Sequence, residues 1–424
     1  MRQLSVGIYQ TGEMALGNNS RKTLVIKRPS APSVDSQQRF IALLIGVVAA
    51  SLGGLFLAKS EGKLDELPGL LMLIPGAIAL RGNIFGAMGS RLGTAVHAGT
   101  FRFNLRRDGV VGQNLVATGV LTLFLSVVLA VIGKGTSSLF GIAATMSLAE
   151  FIVISTLGGL LASVGVAIIT LFLVAGSVRY RWDSDNVTSP LVTAFGDLIT
   201  VPALLLAAGL IDSTTSTNVL AALLAGTAIL GVFFIWSSGD YNLQRIARQS
   251  IPVLLIGILI DLAAGVIIEK RITDLLTSKS VLIMLPAFLA TAGALGGILS
   301  SRLSTQFHLG LDDATPIPSR TSANDIRSLV AVAIPIFISA AGAAHILGVV
   351  TNQNAPGFWQ LVLIALFGGA LALILVVGVA YYSTMAAFRF GLDPDTYGIP
   401  MVTSSLDLVG AFTLVIAMMA VGVT

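Results

Sequence analysis

The sequence predicts an all-α polytopic membrane protein with about 11 transmembrane helices, built as two parallel five-helix repeats about a pseudo-twofold axis and joined by a linker helix. Three observations predict it. Apolar residues make up 55% of the 424 and charged residues only 11%, too little charge to cover a soluble domain of this length. Apolar stretches of ~20 residues recur along the whole chain, each able to cross a hydrocarbon core of roughly 30 Å, and they run continuously rather than alternating, which selects helices over a barrel. The third observation is internal repetition at a fixed offset.

The elements follow in order. Residues 1–40 form a polar, basic tail with no apolar segment leading to a small-residue cleavage site, so a cytoplasmic tail is expected rather than a signal peptide. Repeat 1 occupies 41–211, with spans at 41–58, 68–90, 110–132, 146–177 and 190–211. A linker at 212–246 carries the span 217–236. Repeat 2 occupies 247–424, with spans at 251–269, 281–301, 327–349, 358–387 and 400–422. Five spans are odd, so two directly joined units would be inverted; the linker span restores a common orientation.

The repeat is read from two blocks. PGAIALRGNIFGAMGSRLGTAVHAG from Pro75 aligns without a gap to PAFLATAGALGGILSSRLSTQFHLG from Pro286, an offset of 211 that also matches LLIG at 43–46 with LLIG at 254–257. DSDNVTSPLVTAFGD from Asp183 aligns to DPDTYGIPMVTSSLD from Asp393 at an offset of 210. Charge orients the whole. With the N-terminus in the cytoplasm, 18 Lys and Arg fall in inside segments against 6 outside, which places the C-terminus outside and suits a multi-pass protein of the cell membrane. The net charge of +4 lies in these loops and the tail, so lipid rather than nucleic acid is the expected surrounding. The absence of cysteine excludes disulfides and thiolate metal sites.

Chemistry concentrates in the second block. Pro190, Thr193 and Asp197 share one helix face, as do Pro400, Thr403 and Asp407. Each Asp lies roughly 10 Å past the helix start, where an uncompensated carboxylate costs several kcal/mol. Two such acids at matched positions of a pseudo-twofold pair read as opposing walls of an ion pathway, and their summed charge matches a dication. Oxygen ligands suit Mg²⁺, which keeps several of its waters. In the first block Gly82 and Gly293 belong to a small-xxx-small series suited to close helix packing. Pro75 with the Arg81-Gly82-Asn83 step is expected to interrupt the helix and free carbonyls, Asn83 adding an amide oxygen. Arg81 is expected to be a packing or gating residue at the pore edge. Asp183 and Asp185, like Asp393 and Asp395, precede the Asp-bearing helices, as N-caps or as an acidic cytoplasmic vestibule or regulatory Mg²⁺ site. Asp261 lies in a span opposite Ala50 of repeat 1, so it serves either Na⁺ or H⁺ coupling or internal pairing. His97 and His308 are expected to be structural, and Glu150 to sit on a solvated helix end.

These two blocks resemble those of the MgtE-type divalent cation transporters, in particular the solute-carrier branch that fuses two such membrane units, over about 41–424. The resemblance implies five-helix units paired about a twofold axis with a pore between them, and a fifth-helix acid that holds hydrated Mg²⁺. Asp197 and Asp407 would then be the pore carboxylates, with Asn83, Thr193 and Thr403 nearby. Repeat 2 departs from the pattern at Gly293-Ala294, which lacks the asparagine. The cytoplasmic Mg²⁺-sensing part of bacterial members has no counterpart in a 40-residue tail, so that mode of regulation is expected to be absent. The fused repeats stand in for a homodimer, which allows a monomer. Two alternatives have distinct signatures. A Na⁺-coupled exchanger would need Na⁺ for flux, whereas an intramembrane aspartyl enzyme would use the same acids as a hydrolytic dyad. No nucleophile, zinc-ligand cluster or phosphate-binding motif supports an enzyme.

Overall fold

The computed structural model describes residues 32–424 except 98, 100, 107–108, 143–144, 181–183, 212, 309, 354–355, 392–397 and 424. Its helices are α1 (Pro32–Ala58), α2 (Glu61–Glu66), α3 (Leu70–His97), α4 (Val110–Leu139), α5 (Leu148–Tyr180), α6 (Ser184–Ala208), α7 (Thr214–Ser237), α8 (Tyr241–Glu269), α9 (Ile272–Thr277), α10 (Lys279–His308), α11 (Arg320–Val350), α12 (Phe358–Arg389) and α13 (Ile399–Val421). Eleven are long and apolar enough to cross a membrane, and these are the eleven predicted spans. Several begin earlier than hydropathy indicates because polar caps set the ends. Asp240 accepts from the amides of Asn242 and Leu243 to start α8, and Ser319 does the same for Thr321 and Ser322 at α11. The six-residue helices α2 and α9 were not predicted; a segment that short shows no helical period.

Packing repeats with the sequence. α1 lies against α6 as α8 lies against α13, α3 against α6 as α10 against α13, and α5 against α6 as α12 against α13. The first helix of each unit also crosses to the other unit: α1 packs on α10 and α11, and α8 on α3 and α4. Both crossings are made by matched glycines. A Cβ at Gly54 would collide with the main-chain carbonyl of Ile283, and one at Gly265 with that of Met72. These paired contacts define the pseudo-twofold relation. α3 and α10 are the most enclosed helices, with 78% of each span's most apolar stretch buried against 17% for α7. α7 rests on α4 and α5 and turns Leu223, Leu230 and Phe233 outward, as a lipid-facing connector should.

The expected break in the second span is absent. α3 runs unbroken through Pro75, Gly82 and Asn83, and α10 through Pro286. Pro75 falls in the second turn of α3, so the missing N–H releases only a carbonyl of the first turn. Gly82 serves close packing instead: a Cβ there would lie 3.3 Å from Thr193 Cγ2.

Asymmetry enters at the outer ends. Glu269, at the end of α8 and 6% exposed, accepts from the amides of Gly69 (2.8 Å) and Met72 (2.9 Å) at the start of α3, whereas the matched residue of repeat 1 is Ala58. Glu269→Ala leaves those buried donors unpaired, and an unfolding free energy lower by about 2 kcal/mol is expected. Thermal unfolding of the purified protein in detergent measures it. Lys63 donates to the Leu205 carbonyl at 2.9 Å, and Lys279 pairs with Glu61, so α2 is tied both to α6 and to the other repeat.

Candidate functional site

The N-terminal halves of α6 and α13 bring the repeated Thr and Asp to the interface of the two units. Asp197 is 1% exposed, and neither carboxylate oxygen has a hydrogen-bond partner. Asp407 is half-buried beside α10, where a Cβ on Gly293 would lie 3.9 Å from Oδ1. It lies near enough to both Asp197 and Asp261 for their charges to interact. Among the described residues no Lys or Arg forms a salt bridge with any of the three. A cluster of like charge without a basic neighbour is unfavourable unless a cation or a proton joins it.

Hydroxyl and amide groups surround the acids. Thr403 Oγ1 donates to Asn83 Oδ1 at 3.1 Å and so joins α13 of repeat 2 to α3 of repeat 1. Thr193 packs on Gly82. Asp261, 1% exposed, accepts from Ser404 Oγ at 3.2 Å through Oδ2, while Oδ1 has no partner. Gly76 of α3 and Gly257 of α8 lie alongside it. The acids that the sequence separated into a symmetric pair and a lone Asp261 therefore form one electrostatic group. Thr200 was missed. It is fully buried with an unpartnered hydroxyl, and its place at i+3 from Asp197 and i+7 from Thr193 puts it on the same face of α6.

Other predicted positions separate from this group. Arg81 does not border the interface. It points into repeat 1, where its Nη2 donates to Ser126 Oγ at 2.8 Å and lies over Gly159. Asp183, Asp393 and Asp395 lie outside the described residues, as do the side chains of Asp185 and His97. His308 bonds its own helix through Nδ1 to the Ser304 carbonyl at 2.8 Å and sets its ring edge-on to Phe388. Glu150 forms a cap with Ser147, accepting from its amide at 2.6 Å.

Among the described residues no three His, Asp or Glu side chains come close enough to cage a bare metal ion. Two carboxylates with nearby hydroxyls and an amide are oxygen donors of the kind that suit a partly hydrated cation.

The family described as MgtE, divalent cation transporter, matches this chain at residues 74–207 and 285–417, once in each repeat. Solute carrier family 41 member 3 of Rattus norvegicus is 23% identical over 367 residues, covering 82% of this chain and 79% of the relative. Solute carrier family 41 member 2 of Xenopus laevis is 25% identical over 378 residues, covering 83% and 65%. The crystal structure of the eukaryotic MATE transporter AtDTX14 aligns with 91% of this chain and 96% of that one, at 13% identity and a TM-score of 0.30.

Proposed function

This chain belongs to the MgtE family of divalent cation transporters, and from that premise we propose that it carries Mg²⁺ between its two repeats, with Asp197 and Asp407 holding the ion in partly hydrated form. The family is one of transporters, so the intramembrane hydrolase alternative is set aside. One observation carries the reading: two deep carboxylates from matched helices interact with each other and, among the described residues, have no basic counter-charge. A dication supplies that charge. Water-mediated contact suits Mg²⁺, which dehydrates reluctantly. Thr193, Thr403 and Asn83 are the polar atoms placed to accept or donate to its waters, and Thr200 extends their row along α6.

In this reading residues 41–211 and 247–424 are the two transport units and 212–246 spaces them. The fused pair does the work of a dimer, so a monomer suffices. The N-terminus is cytoplasmic, the C-terminus is outside, and the membrane is that of the cell.

The test is uptake into proteoliposomes holding a Mg²⁺-sensitive dye, driven by an inside-negative voltage without Na⁺. Saturable uptake is expected, with competition from hexaamminecobalt(III), whose inert shell resembles that of a hydrated dication. Uptake indifferent to this competitor would remove the hydrated site. Thr403→Val, which breaks the bond to Asn83 but keeps the side chain's shape, is expected to slow uptake about threefold to tenfold.

A second reading is favoured by Asp261. Its free oxygen beside Ser404 and Asp407 could hold Na⁺ or a proton and couple its movement to that of the dication. An absolute need for Na⁺ or for a pH gradient, lost in Asp261→Asn, would select this exchanger over uncoupled flow.

A further inference from the structure

Repeat 1 contains a buried polar seam that repeat 2 lacks. Arg81 is fully buried in the span α3, and its Nε and Nη1 groups have no hydrogen-bond partner. A guanidinium keeps its charge, and an uncompensated one inside a membrane protein costs several kcal/mol. Among the described residues no carboxylate pairs with it. What surrounds it is hydroxyl. Ser126 accepts from Nη2, and Ser155 donates to the Ser126 carbonyl at 2.8 Å. Thr156, one turn from Gly159 on the same face of α5, is fully buried with an unpartnered Oγ1.

The matched place in repeat 2 shows that packing does not require any of this. Gly369 stands where Gly159 does, and there the space is filled by the Phe337 ring, tilted against Phe288 with centroids 5.0 Å apart. Arg81, Ser126, Ser155 and Thr156 correspond to Ala292, Phe337, Ala365 and Leu366. The same helical framework thus closes with an apolar plug in one repeat. In the other it keeps an orphaned cation and an orphaned hydroxyl. Both orphans can donate, and a buried charged donor with a neutral donor on the neighbouring helix is a donor set suited to an anion.

We propose that repeat 1 binds a small inorganic anion of the halide class at Arg81 Nε and Nη1, with the Thr156 hydroxyl as a further donor. The site lies between α3, α4 and α5, apart from the carboxylates at the repeat interface, and its existence does not depend on which cation is transported. Its occupancy would balance the one basic charge buried fully within a span among the described residues.

The experiment is thermal unfolding of the purified full chain in detergent, titrated with sodium bromide against sodium gluconate at constant ionic strength. A ligand that binds only the folded state raises the midpoint with its concentration. A saturable rise is expected in the wild type and no halide-specific rise in Arg81→Met. In Thr156→Val the bromide concentration needed for half the effect should increase about tenfold. Bromide anomalous scattering in wild-type crystals should place the ion at Arg81, and it decides the matter even if Arg81→Met fails to fold. Identical unfolding in bromide and gluconate would overturn the proposal, as would a bromide effect retained in Arg81→Met. Density showing only water at Arg81 would also overturn it.

Discussion

Asparagine at both Asp197 and Asp407 is expected to lower Mg²⁺ uptake at least a hundredfold, with each single substitution giving a large part of the loss. Asparagine keeps the shape and one oxygen, so the change is one of charge. A carboxylate one water away, roughly 5 Å from a dication, attracts it by about 7 kcal/mol at an effective dielectric of about 20, and half of that remaining after desolvation is about two powers of ten in occupancy. The same substitution should act oppositely on the empty protein. Without a dication, the acids repel each other and are desolvated at Asp197. In EDTA, Asp407→Asn should therefore unfold at a higher temperature than the wild type, while the rise produced by added Mg²⁺ should vanish. Uptake above half the wild-type rate in the double variant would show that the ion passes elsewhere. A lower unfolding temperature in EDTA would instead mark these acids as structural.

Alanine at Gly265 is expected to destabilise the folded protein strongly, by about 3 kcal/mol or more. The new methyl would meet the Met72 carbonyl, a main-chain atom on another helix that no rotamer change can move. Separating α8 from α3 would open a tightly packed interface over several turns, and overpacking of this kind costs typically 1–3 kcal/mol or more. Gly54→Ala meets the Ile283 carbonyl and should be destabilised in the same way. Gly297→Ala is the control, since a Cβ there has nothing within 4 Å, and it should change stability by no more than ~0.5 kcal/mol. Monodispersity in size-exclusion chromatography and the unfolding midpoint separate the outcomes. A Gly265→Ala protein as stable as the wild type would mean that the crossing of α8 over α3 is looser than described.

The spans and the duplication were legible in the sequence because both are local or arithmetical. A run of apolar residues declares its solvent, and two blocks at offsets of 211 and 210 declare a repeat. The depth of Asp197 and Asp407 was legible for the same reason, since each lies inside an apolar run. Helix partners were not. Periodicity tells which face of α1 is buried but not that α10 and α11 bury part of it, so the exchange of first helices was missed. Arg81 was misplaced because residues two positions apart on a helix point to nearly opposite sides, about 160° from one another. Asn83 faces Thr403 of the other repeat, whereas Arg81 turns into its own. Pro75 was over-read as a breaker because its distance from the helix start, which decides how many bonds it costs, depends on where α3 begins. Asp261 joined the acids through Ser404, whose position beside Thr403 was the available signal.

The crossing of α1 and α8 has a mechanical consequence. Each half is clasped by an arm that belongs, by sequence, to its neighbour. Neither half has a complete set of neighbours by itself, so the two expressed as separate polypeptides should be recovered only together. Nor can one half swing past the other as a block, because it would drag away a helix locked to its neighbour at a glycine. Opening towards either side of the membrane must then come from bending or sliding of helices within an intact clasp, with α7 at the periphery free to follow.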